Sequence, residues 1–526
     1  MSIKILDCTL RDGGYCNEWR FGQRNIGKIV AALSTAGINI IECGFLTNKV
    51  QHEPNITRFN DTAEVRKFLP KSRSDNIYVC MINYGEYNLE NLAPREENDL
   101  DGSRIAFHKK DMPVALDFCR GVMEKGYKCF VQAMVSLNYS DEEFLELIRR
   151  INDIMPYAFY IVDSFGVMKR KDLTRLFYMV EHNLKAGIAI GYHAHNNMQL
   201  AYSNAQALVE LHTRKDLIID TSTYGMGRGA GNLNTELFVE YLNDNFGAQY
   251  HLRPILNIID EVLNNFYERH HWGYSLPNYL SAHNNAHPNY AKYFVEKQTL
   301  TFEDMNNIFN MMDSQKRLSF DKDYAESVYI RYMSREPSQS EQENELKDYF
   351  KDKKILLIAP GKSALVEKER IVAFSKEENV CTISVNYEYP FVEPNFIFLS
   401  NLRRYRELEK GKRKKCIVTS NIFSNQVYLR VSYSKLLGNK DCVSDNAGMM
   451  ALRLLVLCGV KEVYLAGFDG YSQNLEENYM DMDMALTVDN LTAEARNQGM
   501  NKVLSDLSGK INIFFLTTPK YIGHAK

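Results

Sequence analysis

Short apolar, β-branched runs recur through the first half of the chain, and stretches with a helical period separate most of them. The runs lie at residues 3–6, 38–43, 77–81, 104–107, 129–134, 159–162, 188–192 and 217–220. Between them, residues 24–36, 112–125, 141–154, 171–186 and 197–211 repeat apolar side chains every three or four positions. The connection at 84–101 is different: it is polar, contains Pro94 and has little helical period. Eight strand–helix units within roughly 245 residues predict an α/β fold, a (β/α)8 TIM barrel over 1–250. A doubly wound sheet is the alternative, but its usual five or six strands leave two or three units over.

Beyond 250 the pattern turns helical, and a helical extension is expected over 251–333. Its first helix gathers Ile255, Ile258, Ile259, Val262, Leu263 and Phe266 on one face. Two stretches rich in histidine and aromatic residues follow, 270–277 and 281–290. Residues 334–344 are polar and lack aliphatic side chains, which predicts a linker over 334–352. A second, smaller domain is expected over 353–526, with strands at 355–358, 381–385, 396–399, 416–419, 462–466 and 511–516 and a helix at 447–458. This pattern predicts a Rossmann-like α/β unit with a largely parallel sheet.

Composition narrows the partners. The chain has 526 residues, too many for one ordinary core, and a net charge of −3. That balance predicts neither a nucleic acid nor an anionic membrane surface as partner. No apolar run reaches the roughly 18–20 residues that a membrane span needs. Met1-Ser-Ile-Lys-Ile leads straight into a strand, so no signal peptide and a cytoplasmic location are expected. The ten cysteines form no CxxC pair. Cys43, Cys80, Cys129, Cys381 and Cys416 fall in apolar strands, which predicts reduced, buried thiols.

Barrel enzymes work at the C-terminal ends of their strands, and the polar residues cluster there. Arg11 and Asp12 follow strand one, in Asp7-Cys-Thr-Leu-Arg-Asp-Gly-Gly14. Glu42 ends strand two, His108 follows strand four, Gln132 lies on strand five, and Asp163-Ser164 ends strand six. His193 and His195 close strand seven with i, i+2 spacing, so both can face one side. With Asp12 they make a two-histidine, one-carboxylate set with open coordination positions, suited to Mg²⁺, Mn²⁺, Zn²⁺, Fe²⁺ or Co²⁺. Two strand histidines without a metal are the bland alternative, against which the barrel period and the Arg-Asp pair weigh. Arg11 beside that metal is placed to steady an enolate or alkoxide oxygen; an ordinary ion pair is its alternative. After strand eight comes Gly225-Met-Gly-Arg-Gly-Ala-Gly-Asn232, whose glycines, Gly229 among them, would let backbone N–H groups approach an anion, or simply make a flexible loop.

These residues resemble a known superfamily, the HMG-CoA lyase-like or pyruvate carboxyltransferase-like metal-dependent TIM barrels. The matching stretches are Asp7-Cys-Thr-Leu-Arg-Asp-Gly13, Ile41-Glu-Cys-Gly44, Val162-Asp-Ser164, His193-Ala-His195 and Gly227-Arg-Gly-Ala-Gly-Asn232. They cover about residues 1–290, and Val162-Asp-Ser164 looks closest to the 4-hydroxy-2-oxovalerate aldolases. The resemblance implies that Asp12, His193 and His195 ligate a divalent cation, Mn²⁺ or Mg²⁺ first and Zn²⁺ or Co²⁺ next, with Asn232 completing the site. Arg11 would stabilise an enolate. Ser164 would contact substrate, and Glu42, Gln132 and Gly229 stand with it as substrate-binding candidates. The implied activity is a carbon–carbon lyase, an aldolase acting on a 2-oxo acid through a pyruvate-type enolate. A Claisen-type acyl-CoA lyase or synthase on the same site, and a non-catalytic binding or regulatory barrel, are the alternatives.

One position departs from the aldolase pattern. Those enzymes carry a histidine base shortly after the Arg-Asp-Gly motif, where this chain has Tyr15. A tyrosine, with an ordinary pKa of about 10, is a poor base at neutral pH. Tyr15, His271 and His287 are therefore the candidates for proton transfer, with His108, His270 and His283 behind them. A Schiff-base aldolase is disfavoured, because strand six has no lysine.

In the second domain, Ala359-Pro-Gly-Lys-Ser363 lacks the glycine that a P-loop requires at 356, where Leu356 stands. Its turn could still offer backbone N–H groups to a phosphate. Asp445-Asn446-Ala447 is expected to cap the following helix. The domain weakly resembles MptE-like and sialyltransferase-like α/β domains, which implies a nucleotide or diphosphate ligand; a scaffolding or dimerising role is the alternative, and a homo-oligomer is expected.

Overall fold

The computed structural model describes residues 2–71, 75–297, 300–334, 340–438, 443–481, 484 and 490–519. The chain divides into two compact units: Met1–Tyr293 with Asp313–Phe320, and Phe294–Met312 with Asp321–Lys526.

The first unit is a closed barrel of eight parallel strands: β1 Ile3–Asp7, β2 Ile40–Leu46, β3 Ile77–Asn83, β4 Gly102–Phe107, β5 Lys128–Ala133, β6 Ala158–Asp163, β7 Ala189–Ala194 and β8 Leu217–Thr221. Each pairs with the next, and β1 pairs with both β2 and β8, which closes the ring. Helices α1 Gln23–Thr35, α2 Met112–Glu124, α3 Asp141–Ile154, α4 Arg170–Asn183 and α5 Ala201–Val209 surround it. The connection from β3 to β4 holds only the 3-10 turn Leu89–Asn91, as its polarity predicts.

α3 illustrates how sequence makes these helices. Ser140 caps it by accepting from Glu143 N, and Glu143 reaches back to Ser140 N at 2.8 Å. Phe144, Leu147, Ile148, Ile151 and Ile154 are its buried face, at the three-and-four spacing that a helix places on one side. Each such side chain contributes on the order of 2 kcal/mol by leaving water.

The floor of the barrel is apolar, with Leu6, Ile40, Val79, Phe130, Tyr160 and Ile218 in contact. Above it sits Arg104, fully buried on β4. Its NH1 donates to Glu42 at 2.7 Å, its NH2 to Asp220, and the guanidinium lies 5.0 Å from the centre of the Tyr160 ring.

The division of the chain departs from the expected 251–333 extension and 334–352 linker. Helical residues up to 293 belong to the barrel unit, and 294–312 and 321–333 to the second. Within the second unit Phe294 meets Phe309 edge to face at 5.6 Å. Part of the expected linker is the helix Ser340–Phe350, in which Leu346 and Phe350 are buried and Phe350 stands 5.9 Å from Phe396. Two apolar anchors near its end outweigh the polar composition that precedes them. The polar residues 335–339 lie outside the described residues.

The second unit is built on a seven-stranded sheet, all pairings parallel: β9 Lys354–Ile358, β10 Val380–Val385, β11 Phe396–Leu399, β12 Cys416–Thr419, β13 Leu429–Val431, β14 Glu462–Ala466 and β15 Asn512–Phe515. Their order is β13-β12-β11-β10-β9-β14-β15, so the winding reverses between β9 and β14. β13 was not expected; it has three residues, and Arg430 interrupts its apolar pattern. Asn446 caps the helix Ala447–Leu457 by accepting from Met449 N, as expected. In the turn after β9, Gly361 N donates to Gly467 O and Ser363 N to Asp469. Among the described residues no helix is long and apolar enough to cross a membrane, and Cys43, Cys80, Cys129, Cys381 and Cys416 are buried.

Candidate active site

Asp12 ends a one-turn helix, Thr9–Asp12, that follows β1; His193 lies on β7 and His195 just beyond it. Their ligand atoms all fall within 4.8 Å of one another, and all three residues are buried. Each histidine uses Nδ1 elsewhere. His193 Nδ1 pairs with Asp220 Oδ2 at 2.9 Å, and His195 Nδ1 with the carbonyl of Asp163 at 3.2 Å. That leaves Nε2 of each ring for a ligand.

Asn232 is drawn in from the loop after β8, and its Nδ2 donates to Asp12 Oδ2 at 2.6 Å. Its Oδ1 is buried and has no hydrogen-bond partner among the described residues, and His195 Nε2 lies 3.4 Å from Asp12 Oδ2. Buried polar atoms normally find partners, so a carboxylate, two imidazoles and an orphaned amide oxygen fit a divalent cation. Burial opposes charge on Asp12, but Arg11 and then the histidines outweigh it and hold its carboxyl well below the usual range. Burial lowers His193 to about 4 against the pull of Asp220, so the imidazole is neutral, as a ligand must be.

Arg11 stands beside this group. Its Nε donates to Glu42 Oε2 at 2.8 Å, its NH1 to Asp12, and Trp19 Nε1 holds its carbonyl at 2.8 Å. Its NH2 is buried without a hydrogen-bond partner among the described residues. A fixed, unspent donor next to a cation site is the arrangement that stabilises a developing oxyanion.

The substrate-binding candidates fare differently. Gln132 Nε2 is buried and unpartnered among the described residues, so it can receive a ligand. Ser164 Oγ accepts from Val135 N at 2.9 Å, which leaves its O–H to donate. One oxygen of Glu42 takes both Arg11 and Arg104, and its Oε1 is buried and has no hydrogen-bond partner among the described residues. The glycine loop is not an open row of amides. Arg228 N faces Asp12, Ala230 N donates to Asn197 Oδ1 at 2.7 Å, and Gly231 and Asn232 donate to carbonyls within the loop. A Cβ at Gly229 would stand 2.7 Å from Asn197 Oδ1.

Of the proton-transfer candidates, His287 comes to the site. Arg228 bridges to it, with NH1 3.2 Å from His287 Nε2 and NH2 donating to Ser164 O at 3.3 Å. Burial, then the charge of Arg228, pushes His287 down to about 2. Both ring nitrogens face N–H donors, since Asn289 N lies 3.2 Å from Nδ1. Tyr15 is more than a third exposed, at 39 %, with its ring 4.7 Å from Trp19 and the Arg228 guanidinium 5.3 Å away. His271 is not at the centre: it is exposed against Tyr267, because its neighbour Trp272 turns inward to bond Tyr224 O. His283 is likewise exposed, stacked on Tyr279.

Sequence reasoning missed Arg104, Asp220, Asn197 and Arg228. An arginine inside an apolar strand and an aspartate at the end of another were the visible signals for the first two.

Residues 109–258 match the HMGL-like family model. Over that stretch the barrel is similar to the HMGL-like family. The matched stretch holds His193, His195, Arg228 and Asn232, while Arg11 and Asp12 precede it. Proteins similar to this half of the chain include a 4-hydroxy-2-oxovalerate aldolase from Geobacillus genomosp. 3, 28% identical over 246 residues, which are 46% of this chain and 71% of the relative. Another of that name, from Carboxydothermus hydrogenoformans, is 25% identical over 264 residues, 50% of this chain and 77% of the relative. Among solved structures, the N-terminal domain of a candidate aldolase from Bacteroides vulgatus is 26% identical with a TM-score of 0.48, over 57% of this chain and 98% of that one.

Proposed function

We propose that the barrel is a divalent-metal-dependent aldolase that cleaves a 4-hydroxy-2-oxo acid to pyruvate, or its analogue, and an aldehyde. The carrying observation is the set of ligand atoms of Asp12, His193 and His195 within 4.8 Å, with the unspent Arg11 NH2 beside it. The named aldolase relatives over this half of the chain support the same reading. Asp12, His193, His195 and Asn232 Oδ1 would hold the cation, which when bound supplies a Lewis acid and an anchor for an oxygen-donor substrate.

The chain's own residues account for the rest. His287 takes the proton from the distal hydroxyl as the C3–C4 bond breaks, the C4 oxygen becomes the aldehyde, and the electron pair passes to the 2-oxo group as an enolate. Arg11 NH2 donates to that enolate oxygen. Reprotonation at C3 gives the 2-oxo acid product. Burial and then Arg228 make the free His287 a weak base; a substrate carboxylate that draws Arg228 away removes that repulsion and the donor facing Nε2, and so raises the imidazole. Arg228 also lies over the Tyr15 ring, 5.3 Å from its centre.

The test is release of pyruvate from 4-hydroxy-2-oxovalerate and longer 4-hydroxy-2-oxo acids by the full chain with Mn²⁺, read by coupled NADH oxidation. Pyruvate from at least one of them, lost in Asp12→Asn and cut about 10²-fold in His287→Gln, is expected. No pyruvate from any of them with the cation bound overturns the aldolase reading.

A further inference from the structure

Arg11, Arg104 and Arg228 differ in what they pair with. Arg11 meets Glu42 and Asp12, and Arg104 meets Glu42 and Asp220. Arg228 meets no carboxylate among the described residues, and its Nε is buried without a hydrogen-bond partner among them. NH2 donates to Ser164 O at 3.3 Å, a long bond to a neutral acceptor, and NH1 faces His287 Nε2 at 3.2 Å. That ring is a poor partner. A neutral imidazole accepts at one nitrogen only, and Asn289 N already faces Nδ1 at 3.2 Å, so at least one of the two donors lacks an acceptor.

The loop does not need this guanidinium to hold its shape. Its backbone does that: Gly231 N donates to Arg228 O at 3.1 Å, Asn196 N to Gly231 O at 2.8 Å, and Ala230 N to Asn197 Oδ1 at 2.7 Å. Burial lowers His287, and the charges that add to this, from Arg228, His195 and His108, are all of one sign. Half-buried charge of one sign is costly until an opposite charge arrives, so the place suits an anionic group of a ligand.

Distance sets where that anion sits on the substrate. In the reaction assigned to the barrel, His287 takes the proton of the C4 hydroxyl across about 2.6–3.2 Å. Arg228 NH1 is 3.2 Å from the nitrogen that faces it. A carboxylate oxygen accepts from a guanidinium at about 2.7–2.9 Å. An acceptor that reaches NH1 while the hydroxyl reaches Nε2 is therefore carried by C4 or by the next carbon. One guanidinium fork balances one carboxylate, whereas a phosphate ester of charge about −2 would stay half-balanced.

We infer that the barrel's substrate is a dicarboxylate, a 4-hydroxy-2-oxo acid whose second carboxylate stands on C4 or C5 and is received by the Arg228 fork. This rests on the aldolase reading and names its substrate class. The C4 hydroxyl gives up its proton, its oxygen becomes a carbonyl, the C3–C4 electron pair passes into the enolate, and C3 regains a proton. The products are pyruvate, or its analogue, and a second oxo acid.

The test compares 4-hydroxy-2-oxoglutarate and 4-hydroxy-2-oxoadipate, with the second carboxylate on C4 and C5, with 4-hydroxy-2-oxovalerate, which ends in a methyl. The full chain is loaded with Mn²⁺, and pyruvate is measured by chromatography. For at least one dicarboxylate kcat/KM should exceed that for the valerate by about 100-fold or more. Arg228→Gln, with melting preserved, should cut that ratio about tenfold or more, and Arg228→Lys should keep part of it. Should Arg228→Gln not fold, Arg228→Lys alone should still lower the ratio, through loss of the fork. Calorimetry with 2-oxoglutarate and 2-oxopentanoate, which lack the hydroxyl, reads binding alone. The first should bind the parent about tenfold or more tighter, and Arg228→Gln should remove the difference. Equal turnover of the valerate and both dicarboxylates, or a ratio unchanged in the folded variant, overturns the inference and leaves the aldolase reading standing. Pyruvate from none of the three, with Mn²⁺ bound, overturns the aldolase reading. The binding pair then decides whether Arg228 receives a carboxylate, and 2-oxoglutarate bound no tighter than 2-oxopentanoate overturns that as well.

Discussion

His193 Nδ1 donates to Asp220 Oδ2 at 2.9 Å, and the same carboxylate receives Arg104. Arg104 continues to Glu42, Glu42 to Arg11, and Arg11 to Asp12. One line of alternating buried charges therefore joins a histidine ligand to the carboxylate ligand through the barrel interior. Asp220→Asn should keep a hydrogen bond but lose the charge that makes His193 a good donor. About a 10–100-fold loss of Mn²⁺ affinity is expected, measured by titration of metal-free protein. Unchanged affinity would remove Asp220 from the account.

Arg104 is the middle of that line, and its side chain is fully buried. Arg104→Met keeps bulk and deletes the charge, which leaves Glu42 and Asp220 facing each other across an apolar floor. Urea unfolding should show a loss of about 3–5 kcal/mol. A variant as stable as the parent would mean that the carboxylates are neutral or otherwise compensated.

Gly227 packs against the ligands themselves. A Cβ there would overlap Asn232 Nδ2 and stand 2.8 Å from Asp12 Oδ2. Gly227→Ala is expected to displace Asn232 and weaken Mn²⁺ binding by about tenfold or more, with a modest drop in melting temperature. An alanine variant that binds Mn²⁺ like the parent would show that Asn232 is no part of the site.

His287 gives a pH signature. Burial and then Arg228 lower it to about 2 in the folded chain, below the ordinary histidine value of 6.5. As pH falls below about 6.5 the unfolded imidazole takes up a proton and the folded one does not. Its contribution to stability is therefore complete above that pH and is lost progressively towards the folded value. Stability from urea titrations at pH 7.5, 6.5 and 5.5 should fall less steeply in His287→Gln than in the parent. Parallel slopes would show that the ring is not shielded in this way.

The sequence made the barrel legible because β-branched runs alternate with amphipathic helices at a fixed spacing, and the ligands because His193 and His195 sit two apart on one strand. Asn232 and Arg11 were legible only through their motifs. Arg104 and Asp220 were not read, because their roles depend on strands β2, β4 and β8 meeting across the barrel, far apart in the chain. His287 could not be told from His271, since which one enters depends on Trp272 turning inward to Tyr224. The unit boundary was hidden for a similar reason: an amphipathic helix has the same period whichever core it packs on, so residues 251–293 and 294–333 read alike.

The most direct test of the central claim is Mn²⁺ titration of the metal-free full chain, followed by calorimetry and electron paramagnetic resonance. One tight site per chain is expected. It should be abolished in Asp12→Asn and in His195→Gln, with both variants folded, and the parent's spectrum should show imidazole nitrogen coupling. Mn²⁺ bound with equal affinity by the parent and by Asp12→Asn, or no bound Mn²⁺ in the parent, would contradict the account.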